Sequence, residues 1–197
     1  MGKKPKKEIT LKQVRPNQLV YQLKVSLRGI KPPIWRRILV TGDTTLDILH
    51  GILQTAMGWS DEHLYEFEIH GASYIDPSLL EDAIDEKTVY LAQLISHEQE
   101  KFLYLYDIGD CWKHDILVEK ILPIEEGTQY PVCIDGKRTC PLEDCGGTSG
   151  YDNLLETIKD PYHPEHEEML ESLPEDFDPE KFDIEYVNRE LSGAYWW

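Results

Sequence analysis

Strict alternation of apolar and polar residues between positions 20 and 28 is the feature that most narrows the folds open to this chain. Such alternation is typical of a β-strand with one buried face, because successive side chains of a strand point to opposite faces of the sheet. The apolar set is Tyr21, Leu23, Val25 and Leu27. Residues 29–33 contain one glycine and two prolines, which favour a turn, and the apolar run at 34–40 predicts the returning strand of a hairpin.

The remaining periodicity predicts the rest of the fold. Apolar residues at helical spacing over 45–57 predict an amphipathic helix, and Gly58 is suited to end it. Alternation predicts further strands at 63–70, 101–107 and 113–120. Helical signals lie at 88–95, 151–159, 163–172 and 179–191.

The fold class that follows is α+β. We expect a largely antiparallel sheet of about five strands, with a strand-strand-helix-strand start and the C-terminal helices packed on it. The apolar face of the first strand should lie against Leu49, Leu53 and Met57 of the first helix.

Charge is divided unevenly along the chain. The formal net charge is −17, but residues 1–50 hold eleven Lys or Arg against three Asp or Glu, a balance of +8. Residues 51–197 hold nine against thirty-four, a balance of −25. We assign residues 1–18 to a basic N-terminal extension and residues 19–197 to a single domain. No apolar run approaches the ~20 residues that cross a bilayer, and no secretory signal is visible, so we expect a cytoplasmic protein without a membrane segment.

Three of the four cysteines lie in one connection, residues 121–150, that is rich in Pro and Gly. They are Cys133, Cys140 and Cys145. Zinc prefers four thiolate or imidazole ligands, so one interpretation is a structural zinc with His114 or Cys111 as the fourth ligand. The spacing contains no Cys-x-x-Cys pair, and the other interpretation is free, buried thiols. In either case, turns at Asp135-Gly136 and Gly146-Gly147 predict that the three sulfur atoms converge.

The segment from Asp107 to His114 combines acidic, aromatic and imidazole side chains around a predicted turn. Strand alternation places Trp112 and His114 on one face, with Asp107 and Asp110 at the turn. Such a set can bind a cation or orient an imidazole as a general base. Asp and Gly are also ordinary turn formers and tryptophan is a common core residue, so a structural role is the alternative.

The Pro-Pro-Ile-Trp-Arg-Arg segment at 32–37 is the third candidate. Trp35 beside Arg36 and Arg37 can stack on a base and hold a phosphate. An acidic body repels phosphate, which favours a packed Trp35 with arginines that reach the acidic C-terminal helices. Trp35 and Arg36 are expected to face opposite sides of their strand.

Four stretches of the chain carry a family resemblance. They are Tyr-Gln-Leu-Lys-Val to Pro-Pro-Ile-Trp-Arg-Arg at 21–37; Leu-His to Met-Gly-Trp and His-Leu-Tyr-Glu-Phe at 49–67; Tyr-Asp-Ile-Gly-Asp-Cys-Trp-Lys-His at 106–114; and Cys-Ile-Asp-Gly to Cys-Pro-Leu-Glu-Asp-Cys-Gly-Gly at 133–147. With these motifs the chain resembles the pRiA-type plasmid ORF-three-like family over roughly residues 19–191. The resemblance implies an α+β domain encoded alongside plasmid and transposon genes, and it implies no particular activity.

The sequence therefore leaves two alternative hypotheses for the function. The first is an intracellular binding module of the plasmid- or transposon-associated type, with a protein or nucleic-acid partner. Its candidate binding residues are Trp35, Arg36, Arg37, Asp107, Asp110, Trp112 and His114. The second is a metal-dependent enzyme that uses the Asp107–His114 hairpin and the Cys133–Cys145 loop.

Overall fold

The computed structural model describes residues 15–193, and a seven-stranded sheet organises them. Neighbouring strands pair antiparallel in the order β4-β3-β5-β6-β1-β2-β7. The strands are β1 (Leu19–Leu27), β2 (Trp35–Thr41), β3 (Tyr65–Ile69), β4 (Ala72–Tyr74), β5 (Lys101–Tyr106), β6 (Trp112–Pro123) and β7 (Val132–Lys137). The helices are α1 (Leu46–Met57), α2 (Leu91–Leu94), α3 (Gly147–Lys159), α4 (His166–Ser172) and α5 (Ile184–Gly193). Residues 1–14 of the predicted basic extension lie outside the described residues.

The α+β class and the antiparallel sheet are confirmed, but the prediction of about five strands is wrong. β4 has three residues, too few to show alternation. β7 contains Asp135 and Gly136, which pair with Arg37 and Arg36 of β2 instead of making a turn. The register between β2 and β7 shifts next to this pair, so a β-bulge absorbs the irregular sequence.

The predicted core of β1 is confirmed. Tyr21, Leu23, Val25 and Leu27 are at most 3% exposed. They belong to the same apolar core as Leu49, Leu53 and Met57 of α1. α1 ends at Gly58, whose φ of 89° lies in the left-handed region that glycine adopts without strain.

Three loops meet at the end of the sheet where β5 turns into β6. The loop after α1 reaches the loop after β7 through the Trp59 indole N–H, which donates to the Pro141 carbonyl at 2.9 Å. The β5–β6 turn reaches the same loop where the Gly146 N–H donates to Asp110 Oδ2 at 3.1 Å. A side chain on Gly147 would begin 2.5 Å from the Asp110 carbonyl oxygen, so this close approach requires glycine. Within residues 15–193, no helix has the length and apolar character to cross a membrane.

Candidate functional site

Each of the three loops contributes one potential metal ligand to a common point. His63 comes from the loop after α1, Asp107 from the β5–β6 turn and Asp144 from the loop after β7. One ligand atom of each lies within 4.8 Å of the other two. His63 Nε2 is 3.8 Å from Asp107 Oδ2 and 3.3 Å from Asp144 Oδ1. We call His63, Asp107 and Asp144 the three-loop site.

Asp107 is held rigidly at the base of this site. Its backbone has a φ of 55°, and its N–H donates to the Leu64 carbonyl at 2.9 Å. Its Oδ1 accepts the N–H groups of Gly109 at 2.8 Å and Asp110 at 3.2 Å. The turn chemistry expected from the sequence therefore occupies one carboxylate oxygen and leaves Oδ2 directed towards His63.

The loop that carries Asp144 is fixed by the neighbouring Glu143. One Glu143 oxygen accepts the Tyr106 hydroxyl, and the other accepts the hydroxyl of Ser60 and its N–H, the latter at 2.9 Å. Partial burial raises the pKa of Glu143, but the hydrogen bonds from Ser60 and Tyr106 outweigh it and leave the pKa lowered. Glu143 is therefore ionised at neutral pH and anchors the loop beside the three-loop site.

The charge around the site is strongly negative. Residues 59–65, 107–111 and 141–150 contain no Lys or Arg. They contain six carboxylates, on Asp61, Glu62, Asp107, Asp110, Glu143 and Asp144. Nε2 of His63 is buried and, although it lies 3.3 Å from Asp144 Oδ1, it makes no hydrogen bond to any residue among 15–193. A divalent cation would relieve the carboxylate repulsion and satisfy this nitrogen at the same time.

Trp112 and His114 of the predicted hairpin site lie beneath the surface. Both side chains are fully buried, and their rings pack against Trp59 at centroid distances of 6.0 and 5.3 Å. His114 Nδ1 lies 3.3 Å from the Tyr104 carbonyl oxygen, and burial lowers the pKa of His114 to about 4. The His114 imidazole is therefore neutral and out of contact with solvent, and it packs with Trp59 and Trp112 in the core. Asp107 and Asp110 lie nearer the surface, where the three loops meet.

The structure does not bring the sulfur atoms of Cys133, Cys140 and Cys145 within 4.8 Å of one another. Cys133 lies on β7, and its Sγ is 3.4 Å from the Asp135 carbonyl oxygen. Cys140 Sγ instead meets Arg36 Nη2 at 3.2 Å and Met57 Sδ at 3.3 Å. Within residues 15–193, the three-loop site is the group of three potential ligands that lie within 4.8 Å of one another. The expected convergence depended on a turn at Asp135-Gly136, which is strand; zinc on these thiols stays a prediction.

The two arginines of the Trp-Arg-Arg segment have different environments. Arg37 lies beside Trp35, with its Cζ 5.0 Å from the ring centroid, and pairs with Glu119 at 2.6 Å and Asp135 at 2.7 Å. Trp35 and Arg36 face opposite sides of β2, as alternation predicted, but Arg36 is the one that faces the core, at 3% exposure, while Trp35 is only half-buried. The favoured interpretation, a packed Trp35 with both arginines directed outwards, is wrong for Arg36. The prediction that these arginines pair with acidic residues of the C-terminal helices is wrong for Arg37, because its partners are carboxylates of β6 and β7.

The sequence pattern did not identify His63 and Asp144 as potential metal ligands. Both lie inside stretches that carry the family resemblance, in His-Leu-Tyr-Glu-Phe and in Cys-Pro-Leu-Glu-Asp-Cys. That membership was the available signal. The spacing of these residues in the sequence gives no such signal, because the three loops that hold them are far apart in the chain.

The chain is similar to one protein family, to a protein of known sequence and to a solved structure. A family model described as plasmid pRiA4b ORF-3-like protein matches residues 19–186. The uncharacterized protein y4hQ of Sinorhizobium fredii is 39% identical over 155 residues, which cover 77% of this chain and 79% of that protein. The crystal structure of the protein of unknown function MM3350 from Methanosarcina mazei has a TM-score of 0.81 at 41% identity, and the match covers 85% of this chain and 97% of that chain.

Proposed function

The chain belongs to the plasmid pRiA4b ORF-3-like family, and we propose that it is a metal-dependent enzyme whose ion is held by the three-loop site. The observation that carries this proposal is the meeting of His63, Asp107 and Asp144 within 4.8 Å, each supplied by a different loop. The ligand set differs from the one expected from the sequence. The proposed ligands include His63 and Asp144, whereas the sequence suggested His114 and the three cysteines.

The donor set indicates which metal the site would take. One imidazole and two carboxylates suit divalent Mn, Fe or Zn better than a soft ion that prefers thiolates. Three protein ligands leave coordination positions for water or a substrate oxygen, as in catalytic sites. The Asp144 side chain is 74% exposed while that of Asp107 is 8% exposed, so an ion held by these residues would be accessible from solvent on the Asp144 side.

The chemistry that a bound ion supplies is Lewis-acid catalysis. A divalent ion polarises a carbonyl or phosphoryl oxygen, or lowers the pKa of a bound water. Tyr106 and Glu143 stand next to the ligands and are coupled by a hydrogen bond. Burial raises the pKa of Tyr106, so its hydroxyl keeps its proton and serves as a hydrogen-bond donor beside the site.

Metal binding is the first test, and Mn²⁺ is a suitable probe because free and bound ion differ in electron paramagnetic resonance. We expect one Mn²⁺ per chain. Asp107→Asn and His63→Gln should each weaken affinity at least as much as the ~10–100-fold loss seen when an outer-shell partner is removed. Asp43→Asn is the matched control, because Asp43 is exposed and precedes the opposite end of α1. Equal affinity of Asp107→Asn and Asp43→Asn would place the ion elsewhere and reject the site.

Nucleic acid is the weaker of the partners considered for a binding module. Arg37 is already paired with Glu119 and Asp135, and Arg36 is buried at the back of a cleft, so neither is available to the backbone phosphates of a duplex. We expect no binding of a duplex DNA of about 20 base pairs in a fluorescence anisotropy titration, whatever the salt concentration. A submicromolar complex that weakens steeply with salt and is lost in Arg37→Ala would contradict this expectation.

A further inference from the structure

A cavity lies apart from the three-loop site, and none of the three residues of that site lines it. It has a volume of about 330 Å³ and opens between the C-terminal end of α1, the loop after β7 and residues 174–187. Cavities that bind small molecules begin at about this size, with mostly apolar walls. The apolar walls here are formed by Ala56, Met57, Leu142, Phe177, Phe182 and Val187.

Arg36 lies at the deep side of this cleft. It is 3% exposed, and its guanidinium carbon lies 4.2 Å from the centroid of the Phe182 ring. Four of its five N–H groups have partners: Nε donates to the Ala56 carbonyl, Nη1 to the Trp35 and Lys137 carbonyls, and Nη2 to Cys140 Sγ. The fifth, on Nη2, has no acceptor among residues 15–193.

The positive charge of Arg36 also lacks a counter-charge. Within residues 15–193, no carboxylate oxygen lies within 4.0 Å of its guanidinium, whereas Arg37 pairs with Glu119 and the buried Arg138 pairs with Glu180 at 2.9 Å. Burial raises the pKa of the Cys140 thiol, so the sulfur next to Nη2 is uncharged. Buried charges are ordinarily paired, because an isolated ion in a low-dielectric interior is costly.

The titratable groups at the mouth of the cleft are exposed. Asp178 and Asp183 direct their carboxylates to the N–H groups of Glu180 and Tyr186, both at 2.9 Å. Asp176, Lys181 and Tyr186 complete the mouth. Acidic groups in water at the entrance and a buried cation at the base favour a ligand that carries its negative charge at the inner end and an uncharged apolar body behind it.

We propose that this cleft binds a small organic carboxylate with an aromatic or branched apolar body, whose carboxylate accepts the free N–H of Arg36 Nη2. The apolar body lies against Phe182, Val187 and Leu142. This proposal is independent of the metal site, because the two sites share no residue.

The test is an NMR titration of the ¹⁵N-labelled full chain with phenylacetate, and with phenylacetamide as its neutral counterpart. We expect phenylacetate to shift the amide signals of Ala56, Met57 and Phe182 saturably, and phenylacetamide to bind at least about tenfold more weakly, since a charge-assisted hydrogen bond is lost. Equal affinity for the two probes, or no saturable shift with either phenylacetate or 4-methylpentanoate, would overturn the proposal.

Two variants separate the role of the cleft from a loss of folding. Leu142→Trp keeps Arg36 and fills the cleft from a half-buried wall position, and it should abolish binding of phenylacetate. Arg37→Met removes the neighbouring arginine on the other face of β2 and should leave binding unchanged. Binding that survives Leu142→Trp, or that is lost with Arg37→Met, would contradict the assignment.

Discussion

Replacement of Arg36 by methionine is expected to lower the free energy of unfolding by about 3 kcal/mol. The guanidinium joins the Ala56 carbonyl near the end of α1, at 2.8 Å, to the Lys137 carbonyl at the end of β7, at 3.1 Å. A buried carbonyl that loses its donor costs about 1–3 kcal/mol. Methionine also removes an unneutralised buried charge, which offsets part of this loss. We expect the loss of hydrogen bonds to dominate, because the buried bond to the Ala56 carbonyl is lost together with the part-buried bonds to the Trp35 and Lys137 carbonyls.

The measurement is urea unfolding of the wild type, Arg36→Met and the matched variant Arg37→Met. Arg37 pairs with carboxylates at a more accessible surface, so its replacement should cost about 1 kcal/mol or less. Equal midpoints for the two variants would show that the end of α1 does not depend on Arg36. An Arg36→Met protein more stable than wild type would show that desolvation of the guanidinium outweighs its hydrogen bonds.

The parts of the fold that the sequence predicts well are those specified by local pattern. Alternation in β1 identifies both the strand and its buried face, because the two-residue period links burial directly to position. The same rule puts Trp35 and Arg36 on opposite faces of β2, but alternation alone does not say which of the two faces the core, and the structure buries Arg36. β7 was missed because Asp135 and Gly136 are turn formers by local preference, and the pairing with β2 overrides that preference across a bulge.

The candidate site is predictable only in part, for a related reason. Asp107 was identified because a hairpin turn is a local feature with a clear residue signature. His63 and Asp144 were missed because their approach depends on three loops meeting, which no spacing in the chain encodes. The carbonyl partners of Arg36 are equally invisible in the sequence, since Ala56 and Lys137 offer backbone atoms that every residue has.

Stability near pH 5 is expected to depend on His114, and replacing it with phenylalanine should remove that dependence. Burial lowers the pKa of His114 from its ordinary value of 6.5 to about 4. At a pH between these two pKa values, the imidazole is protonated in the unfolded chain but stays neutral in the folded chain, so acidification favours unfolding. The contribution is fully present above pH 6.5 and is lost as the pH falls towards 4. Between pH 7 and pH 5 the wild type should lose about 2 kcal/mol through this group.

Other groups titrate in the same direction, so the comparison must be between variants. Burial also lowers the pKa of His50, against the opposing effect of Asp61. The ion-paired carboxylates of Asp115 and Glu119 have lowered pKa values and lose their stabilisation in still stronger acid. Urea unfolding at pH 7, 6 and 5 should therefore give a shallower slope for His114→Phe than for wild type, while His97→Gln, at an exposed position, should keep the wild-type slope. Parallel slopes for wild type and His114→Phe would mean that the imidazole is protonated without cost in the folded state, which its complete burial among Trp59, Tyr104 and Trp112 argues against.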